Sequence, residues 1–458
     1  MKKTLPRILI AAAQSGSGKT TLTCGLLQAL LQRSITPAAF KCGPDYIDPL
    51  FHASVLGTKG GNLDLFFTDE NTARALLCEN AADAQIAVLE GVMGFYDGVG
   101  GVSDTASAYH LSKATQTPVL LCIDARGASL SLCAQIKGFQ SFRAQSGIAA
   151  VFLNRCTKMQ HDFLKPVIEA ECGVKVLGYL PQNPIFSLES RHLGLVTAAE
   201  VENLRDKISA IAAEIETCVD INALLQLAES APELAYEPLS VQPITNQKPR
   251  IAVAQDKAFC FYYAENLQLL QALGAEIVPF SPLADADLPP DVCALYLGGG
   301  YPELYAAALA KNKSMRSAVH TAAQNGMPLF AECGGFLYLH DTLYDLEGNA
   351  HAMAGVLPAA CRNTGKLSRF GYVTLTAQKD TILCAKGEKI AAHEFHYYDS
   401  DENGAAFLAE KPMRRRSWQC IMAQKNIFAG FPHFYFYANT AFAARFVAAA
   451  QRYRKEHA

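Results

Sequence analysis

The sequence predicts an α/β protein with two doubly wound domains, each a parallel sheet covered by helices. Two observations predict this fold. Short apolar runs with the composition of buried parallel strands alternate with segments of helix length. The alternation stops between Pro232 and Pro249, where prolines are frequent and bulky apolar residues are few, and then resumes. We therefore expect a first domain over residues 1–219, a linker over 220–248 and a second domain over 249–458.

The predicted strands are short, mainly apolar runs, and the predicted helices are longer segments between them. In the first domain we expect strands at Arg7–Ala12, Ile86–Leu89, Val119–Ile123, Ile148–Asn154 and Val174–Leu177, and helices at Thr21–Gln32 and Asp104–Lys113. In the second domain we expect strands at Arg250–Ala254, Glu276–Pro279, Ala294–Leu297 and Pro328–Ala331, and helices at Tyr263–Leu273 and Asn439–Arg454. The last of these is rich in alanine, the strongest helix former.

The composition excludes several classes of protein. Of the 458 residues, 50% are hydrophobic, so the chain has enough apolar surface to fold and is not intrinsically disordered. The formal net charge of −3 disfavours a strongly basic nucleic-acid-binding protein. No window approaches the roughly 20 uninterrupted apolar residues that a membrane helix requires. We expect a soluble protein with neither nucleic acid nor membrane as a partner.

Cysteine usage indicates a cytoplasmic protein. The 14 cysteines are scattered without a CxxC pair or a regular spacing, which is typical of reduced, mostly buried thiols. Arg7 interrupts the apolar residues near the N-terminus, so this stretch is interpreted as a first strand and not as a secretory leader.

A phosphate-binding loop follows the first predicted strand and opens a predicted helix. It comprises Ser15, Gly16, Ser17, Gly18, Lys19, Thr20 and Thr21. Glycines let successive backbone N–H groups face phosphates, and the helix N-terminus adds a favourable dipole. Lys19 can reach the terminal phosphates, and the Thr20 hydroxyl can bind Mg²⁺. Ala13 replaces the first glycine of the usual motif. We predict a nucleotide site that uses ATP and Mg²⁺.

Carboxylates at predicted strand ends are candidates for the metal and the substrate. Glu90 follows the strand Ile86–Leu89, at the sheet edge where open α/β proteins bind ligands, so we favour metal or nucleotide binding there. Asp45 and Asp48 lie in a turn-rich segment, and Asp64 and Asp97 lie in further loops. For a single loop aspartate, stabilisation of a turn is the commoner role.

Cys333 lies between a predicted strand and a helix and is followed by two glycines, which is the arrangement of a nucleophile elbow. We expect the helix N-terminus to lower the pKa of its thiol. Gly299 and Gly300 end another strand, and their N–H groups, with that of Gly334, could bind a tetrahedral oxyanion. His433 is the candidate base, although an isolated histidine among aromatic residues is as often a packed core residue.

Two further motifs carry less information. His393 and His396 in the run His-Glu-Phe-His are one residue too close for the zinc-binding H-E-x-x-H motif. The run Arg414–Arg416 is interpreted as a solvated surface, although it could also meet an anionic substrate.

Taken together, these motifs resemble the cobyrinate a,c-diamide synthase family, glutamine-dependent enzymes that amidate two acetate side chains of a corrin ring. The resemblance covers nearly the whole chain. It is carried by Ser15–Thr20, Lys41–Pro49, Glu90–Gly98, Arg191–Leu195, Leu297–Tyr305, Glu332–Gly335, Arg369–Tyr372 and His393–Tyr397. A phosphate loop without its first glycine is normal in the related dethiobiotin-synthetase-like ATPases.

The resemblance implies a P-loop ATPase sheet in the first domain and a class I glutamine amidotransferase sheet in the second. ATP would phosphorylate a carboxylate of cobyrinate, with Mg²⁺ held by Thr20, Asp45 and Glu90. Candidate substrate-binding residues are Tyr46, Asp48, Asp64 and Asp97. Cys333 would attack the side-chain amide of L-glutamine, and His433 would shuttle the proton. Tyr435 stands where most class I amidotransferases have the glutamate of the His-x-Glu motif.

Alternatives remain in two classes. The same chemistry could act on hydrogenobyrinate or nickel-sirohydrochlorin, since the motifs do not resolve the ring or its metal. A different function is that of a partitioning-type nucleotide-switched scaffold ATPase, with the second domain as a docking module.

Overall fold

The computed structural model describes residues 1–186 and 204–457. The segment Arg191–Leu195, which carries part of the resemblance, lies outside the described residues. The chain divides into two compact units, Met1–Leu239 and Ser240–Ala458. Each unit has a hydrophobic core of its own.

The first unit is built on a seven-stranded parallel sheet in the order β4-β3-β5-β2-β6-β7-β8. Its short flanking strands β1 and β9 form a separate antiparallel ribbon. The strands are β1 Lys2–Lys3, β2 Arg7–Ala12, β3 Pro37–Cys42, β4 Lys59–Leu63, β5 Ile86–Glu90, β6 Val119–Asp124, β7 Ile148–Asn154, β8 Lys175–Leu180 and β9 Leu234–Ala235. The central strands are buried on both faces, which explains their continuous apolar sequence.

Helices connect these strands. They are α1 Lys19–Gln32, α2 Ile47–Leu56, α3 Glu70–Asn80, α4 Ala108–Ala114, α5 Ser131–Phe142, α6 Lys158–Cys172, α7 Leu204–Cys218 and α8 Ile221–Glu229. Several begin at side-chain caps: Asp69 accepts the N–H of Thr72 at α3, and Thr157 forms a capping box with Gln160 at α6.

The prediction that the linker starts at residue 220 is wrong. Within residues 220–248, the segment Ile221–Glu229 forms α8, which Asp220 caps by accepting the N–H of Ala223. Leu224 and Ala228 of this helix are buried in the core of the first unit. The division between the units falls after Leu239, because amphipathic residues among the polar ones allow 220–239 to pack on the first sheet.

The second unit contains a six-stranded sheet in the order β11-β10-β12-β13-β21-β20, parallel except for β20. Its strands are β10 Arg250–Ala254, β11 Glu276–Phe280, β12 Val292–Leu297, β13 Leu329–Glu332, β20 Met422–Gln424 and β21 Ile427–Gly430. The helices are α9 Ala264–Ala272, α10 Ala306–Lys311, α11 Lys313–Gln324, α12 Gly334–Leu339 and α13 Thr440–Glu456. Residues of α9 and α13 share one core cluster and residues of α10, α11 and α12 share the other. This arrangement confirms the doubly wound α/β fold.

A second sheet of the same unit was not predicted. It orders β15-β14-β16-β17-β22, and β18 and β19 extend it from β16. Its strands are β14 His340–Tyr344, β15 Ala350–Ala352, β16 Leu357–Ala377, β17 Lys389–Ser400, β18 Phe407–Glu410, β19 Ser417–Cys420 and β22 His433–Phe434. Most pairs in it are antiparallel, and β22 brings His433 beside β17. None of the helices in the described part of the chain is long and apolar enough to cross a bilayer.

Candidate functional site

The phosphate-binding loop of the first unit connects the central strand β2 to α1. Gly16 and Gly18 have φ angles of +76° and +95°, which side chains other than glycine rarely adopt. The carbonyl of Ser17 accepts a hydrogen bond of 2.8 Å from the Asn154 side chain, and that of Gly16 accepts one of 2.9 Å from Arg155. Asn154 ends β7 and Arg155 follows it, so the two hydrogen bonds fix the loop to the end of this strand.

Lys19 lies inside this loop and is buried. Its ammonium donates to the carbonyls of Met93, at 2.6 Å, and Gln14, at 3.3 Å. Burial lowers the pKa of Lys19, and the nearby Lys41 lowers it further. A bound phosphate would add negative charge beside this ammonium and favour its charged form.

Thr20 and Glu90 meet at the ends of neighbouring elements. The Thr20 hydroxyl donates to Glu90 Oε1 at 2.6 Å. Glu90 ends β5 and is fully buried, and its Oε2 has no hydrogen-bond partner among the residues that the structure describes. A buried carboxylate oxygen of this kind, next to a phosphate-loop hydroxyl, fits a hard cation such as Mg²⁺. The described residues contain no group of three or more His, Cys, Asp and Glu side chains that could hold a metal without the nucleotide.

Lys41 was missed by the sequence analysis, although it organises the acidic residues around Glu90. It is the second-last residue of the buried strand β3, and its ammonium donates to Glu90 Oε1 at 2.8 Å and to Asp48. Asp45 Oδ2 lies 3.7 Å from the same ammonium. Burial alone would lower the pKa of Lys41, but the three carboxylates raise it well above its usual value. In the sequence, Lys41 could have been noticed as the one charged residue in the mainly apolar run 37–42, because a buried lysine almost always has a partner.

The predicted carboxylates follow neighbouring strands of the sheet. Asp45 and Asp48 follow β3, Asp64 follows β4, and Glu90 ends β5, so all lie at one edge. Burial and the nearby Asp48 raise the pKa of Asp45 to about 6. Burial would also raise the pKa of Asp48, but Lys41 and the other groups around it lower it overall.

Two of the predicted carboxylates shape their own loops. Asp64 is buried, and its Oδ1 accepts the N–H of Phe66 at 2.7 Å. Asp97 Oδ2 accepts the N–H of Gly94 at 2.8 Å, which closes the turn after β5. Tyr46 is buried at the start of α2. The structure therefore gives each of these two aspartates a turn-stabilising role in a segment that follows the carboxyl end of a strand.

Cys333 forms the sharp turn between β13 and α12 in the second unit. Its backbone has φ +45° and ψ −100°, a strained conformation that is typical of a nucleophile elbow. The expectation of a lowered thiol pKa is wrong. Burial, together with the carboxyls of Glu303 and Glu332, raises the pKa of Cys333, and a helix of six residues does not offset them.

The three predicted oxyanion glycines surround this turn. A Cβ on Gly334 would lie 2.9 Å from the backbone N of Gly300, and a Cβ on Gly299 would lie 2.5 Å from Cε1 of His433. Glycine at 334 therefore allows the close approach of Gly300 to the turn, and glycine at 299 allows the close approach of the His433 ring. The N–H of Gly335 donates to the carbonyl of Gly298 at 2.8 Å, so that group belongs to the fold and not to the oxyanion donors.

His433 lies on β22, three residues after Gly430, whose strand pairs with the end of β13 at Glu332. Across the antiparallel pair, its neighbour is His393 on β17. Burial, followed by the effect of His396, lowers the pKa of His433 to about 3, and burial with the effect of His433 lowers that of His393 to about 3. The lowered pKa favours the neutral imidazole of His433, the form in which one ring nitrogen carries a free lone pair.

The run that begins at His393 has a structural role in the described residues. His396 stacks on Phe431 with 4.0 Å between ring centroids, and its Nδ1 lies 2.6 Å from the carbonyl oxygen of Tyr398. Its Nε2 lies 3.1 Å from the Glu394 carboxyl. In the nearby arginine run, Arg416 lies 5.4 Å from the ring centroid of Trp418.

The two units match two described domain families. Residues 8–196 match the CobQ/CobB/MinD/ParA nucleotide binding domain, and residues 250–441 match the CobB/CobQ-like glutamine amidotransferase domain. Proteins named cobyrinate a,c-diamide synthase are similar over nearly the full length of the chain. The protein from Caldanaerobacter subterraneus subsp. tengcongensis is 39% identical over 96% of this chain and 97% of its own.

Two other proteins of the same name are similar to this chain over nearly its full length. The Listeria innocua protein is 38% identical over 97% of this chain and 100% of its own, and the Salmonella typhimurium protein is 40% identical over 97% and 98%. This chain belongs to the cobyrinate a,c-diamide synthase family. Membership of the cobyrinate a,c-diamide synthase family confirms the resemblance found in the sequence. A nucleotide-binding domain and a glutamine amidotransferase domain in one chain make it an enzyme of the glutamine-using amide ligases.

Proposed function

We propose that this chain uses ATP to convert the a and c acetate carboxylates of cobyrinate into amides, with glutamine as nitrogen donor. The observation that carries the proposal is full-length similarity, at 38–40% identity, to proteins named for that reaction. The two sites described above supply groups suited to its two halves, carboxylate activation and ammonia release.

In this proposal the first unit activates the substrate carboxylate. A substrate carboxylate oxygen attacks the terminal phosphorus of ATP, and ADP leaves as the acyl phosphate forms. The loop and Lys19 bind the phosphates and stabilise the charge that develops on them. Thr20 and Glu90 would hold Mg²⁺, which neutralises phosphate charge when it is bound. Asp45 is a further metal candidate, and Asp48, which pairs with Lys41, is a candidate for orienting the substrate.

The second unit is assigned the release of ammonia. Sγ of Cys333 attacks the side-chain amide carbon of glutamine, and His433 takes the thiol proton and gives it to the leaving nitrogen. Ammonia departs, and water hydrolyses the remaining thioester to glutamate and the free thiol. The N–H groups of Gly299, Gly300 and Gly334 are the proposed donors to the tetrahedral oxyanion.

The two half-reactions combine in the amide. Ammonia attacks the carbonyl carbon of the acyl phosphate, inorganic phosphate leaves, and the carboxamide forms. Each amide consumes one ATP and one glutamine, so the complete reaction on two acetate groups takes two cycles. The match of residues 250–441 to a glutamine amidotransferase domain does not support a partitioning-type scaffold ATPase with an inert second domain.

The test is an incubation of the purified protein with cobyrinate, ATP, Mg²⁺ and glutamine, followed by mass analysis of the corrinoid. We expect two carboxyl groups to become carboxamides, and we expect omission of Mg²⁺ to stop the reaction. Parallel incubations with hydrogenobyrinate and nickel-sirohydrochlorin determine which ring is preferred. An unchanged mass for cobyrinate, with glutamine hydrolysis intact, would contradict the substrate assignment.

A further inference from the structure

The carboxyl group of Glu332 lies in the interior of the second unit, one residue before the proposed nucleophile and close to the proposed base. Glu332 precedes Cys333 at the end of β13 and is 2% exposed. Its Oε1 accepts the backbone N–H of Phe434 at 2.8 Å, and its Oε2 accepts the hydroxyl of Tyr296 at 3.1 Å. Both oxygens are therefore fixed in place by neutral donors.

This carboxyl group also faces the candidate base. Oε2 of Glu332 lies 4.0 Å from Nδ1 of His433. The bond to Phe434 fixes the backbone next to the histidine, so Glu332 controls the position of the ring as well as its electrostatic surroundings. In a buried site with little water, a charge at this distance interacts strongly with an imidazolium.

A carboxylate here has opposite effects on the two partners of the proton transfer. It disfavours the thiolate, since Glu332 is among the groups that raise the pKa of Cys333 after burial and Glu303. It favours a positive charge on His433. Once sulfur has bonded to the amide carbon, the negative charge lies on the amide oxygen, and the imidazolium remains beside Glu332.

We propose that Glu332 is the positioning residue of His433, and that its carboxylate stabilises the imidazolium formed when glutamine is attacked. This inference rests on the roles proposed for Cys333 and His433. The proton moves from Cys333 Sγ to His433 and then to the leaving nitrogen, while Glu332 neither gives nor takes it. Glu332 thereby takes the place of the acidic partner that the motif of this chain lacks at Tyr435.

The pH profile gives a readout that packing alone would not produce. Burial raises the pKa of Glu332 to about 8. The carboxylate fraction therefore grows as the pH approaches 8, and glutamine turnover should rise with it. The titratable groups that face Glu332 or its partner are Tyr262, Tyr296, Cys333, His393, His396 and His433. In Glu332→Gln, the part of the pH profile in which turnover rises with ionisation of Glu332 should disappear, and the rest of the profile should remain.

The experiment compares glutamine hydrolysis and thiol alkylation in the full chain carrying Glu332→Gln. Glutamine has nearly the same shape, and it can accept from Phe434 and donate to Tyr296, so the fold is retained. We expect kcat for glutamine hydrolysis to fall about ten- to a hundredfold with little change in KM. We expect iodoacetamide to alkylate Cys333 at least as fast as in the wild type, because a repulsive charge has been removed.

The matched control is Glu388→Gln, which makes the same change in the pair between Glu388 and Arg445, 2.7 Å apart on the surface side of the unit. Its glutamine turnover should equal that of the wild type. Turnover at the wild-type rate in Glu332→Gln, or a parallel loss of turnover and alkylation, would overturn the inference. Cys333→Ala separates this from the proposed function: hydrolysis that survives in Cys333→Ala contradicts the proposed nucleophile itself.

Discussion

At the scale of single residues, Lys41 determines the charge balance of the first site. Its buried ammonium contacts the carboxyls of Asp48 and Glu90 and lies 3.7 Å from Asp45. Three acidic groups therefore share one buried cation and form a charge network at this edge of the sheet. When one member of a buried ion pair is removed, the charge of the other member remains in the interior without compensation, which is strongly destabilising.

We predict that Lys41→Gln destabilises the first unit by about 3–5 kcal/mol, because it leaves buried carboxylates without a cation. The measurement is the unfolding transition of that unit by calorimetry, together with its amidation activity. Lys59→Gln is the control, since Lys59 pairs with Asp83 at an exposed position, where an ion pair adds little to stability. Equal transition temperatures for both variants would contradict this role of Lys41.

Gly299 provides a second prediction at this scale. A Cβ at this position would lie 2.5 Å from Cε1 of His433, so Gly299→Ala must displace the imidazole. We expect glutamine hydrolysis to fall by about a hundredfold, as for other displacements of a catalytic group by about 1 Å. The kinetics should be compared with those of Gly138→Ala, where an added Cβ meets open space on α5. Unchanged turnover in Gly299→Ala would show that the ring does not depend on this approach.

At the scale of elements, the helix after the nucleophile is short and is held at its end by a histidine. His340 follows α12 and is fully buried. Its Nδ1 lies 2.7 Å from the carbonyl of Phe336, and its Nε2 lies 2.7 Å from the hydroxyl of Ser400 on β17. This side chain links the helix that carries the elbow to the second sheet.

The pH dependence of this link can be measured. Burial lowers the pKa of His340 to about 4, from 6.5 in an exposed state. Between these values the unfolded chain binds a proton that the folded chain does not, so wild-type stability falls as the pH falls. The stability advantage of the wild type over His340→Gln should shrink by up to about 1.4 kcal/mol per pH unit below 6.5. Denaturant unfolding at pH 7 and pH 5 tests this, and a constant difference would contradict it.

Elements with a purely local signal could be predicted from the sequence. The strands Arg7–Ala12, Ile148–Asn154 and Arg250–Ala254 have the predicted bounds, because strands buried on both faces consist of continuous apolar residues. The second sheet of the second unit was missed, since β16 and β17 mix exposed and buried residues over long stretches. Their pairing depends on contacts distant in sequence, which propensity does not report.

At the scale of the whole molecule, the proposed function divides the chemistry between the units. Lys19→Ala should abolish amidation with either glutamine or ammonium salts, because it removes a phosphate ligand, while glutamine hydrolysis remains detectable.

Cys333→Ala should abolish the use of glutamine and retain amidation with ammonium salts, because only the ammonia source is lost. Product analysis with each nitrogen donor provides the measurement. A Cys333→Ala protein that is equally inactive with ammonium would contradict this division.

The sequence could indicate those candidate site residues that lie at the carboxyl end of a predicted strand. The phosphate loop and Cys333 each follow a buried strand and Glu90 ends one, and the carboxyl ends of parallel strands meet at one edge of each sheet. Lys41 and Glu332 were not predicted as functional, because their importance arises from partners that are distant in sequence. The pKa of the thiol was predicted with the wrong sign, since the degree of burial is a property of the folded chain.

The antiparallel ribbon of the first unit has a practical consequence. It pairs Lys2–Lys3 with Leu234–Ala235, so the beginning of the unit and its last strand are fastened to each other. A polypeptide that stops after Leu239 would leave every strand of the first sheet with its native neighbours. The two units are therefore suited to separate expression, and mixing them at known ratios would measure whether either one changes the activity of the other.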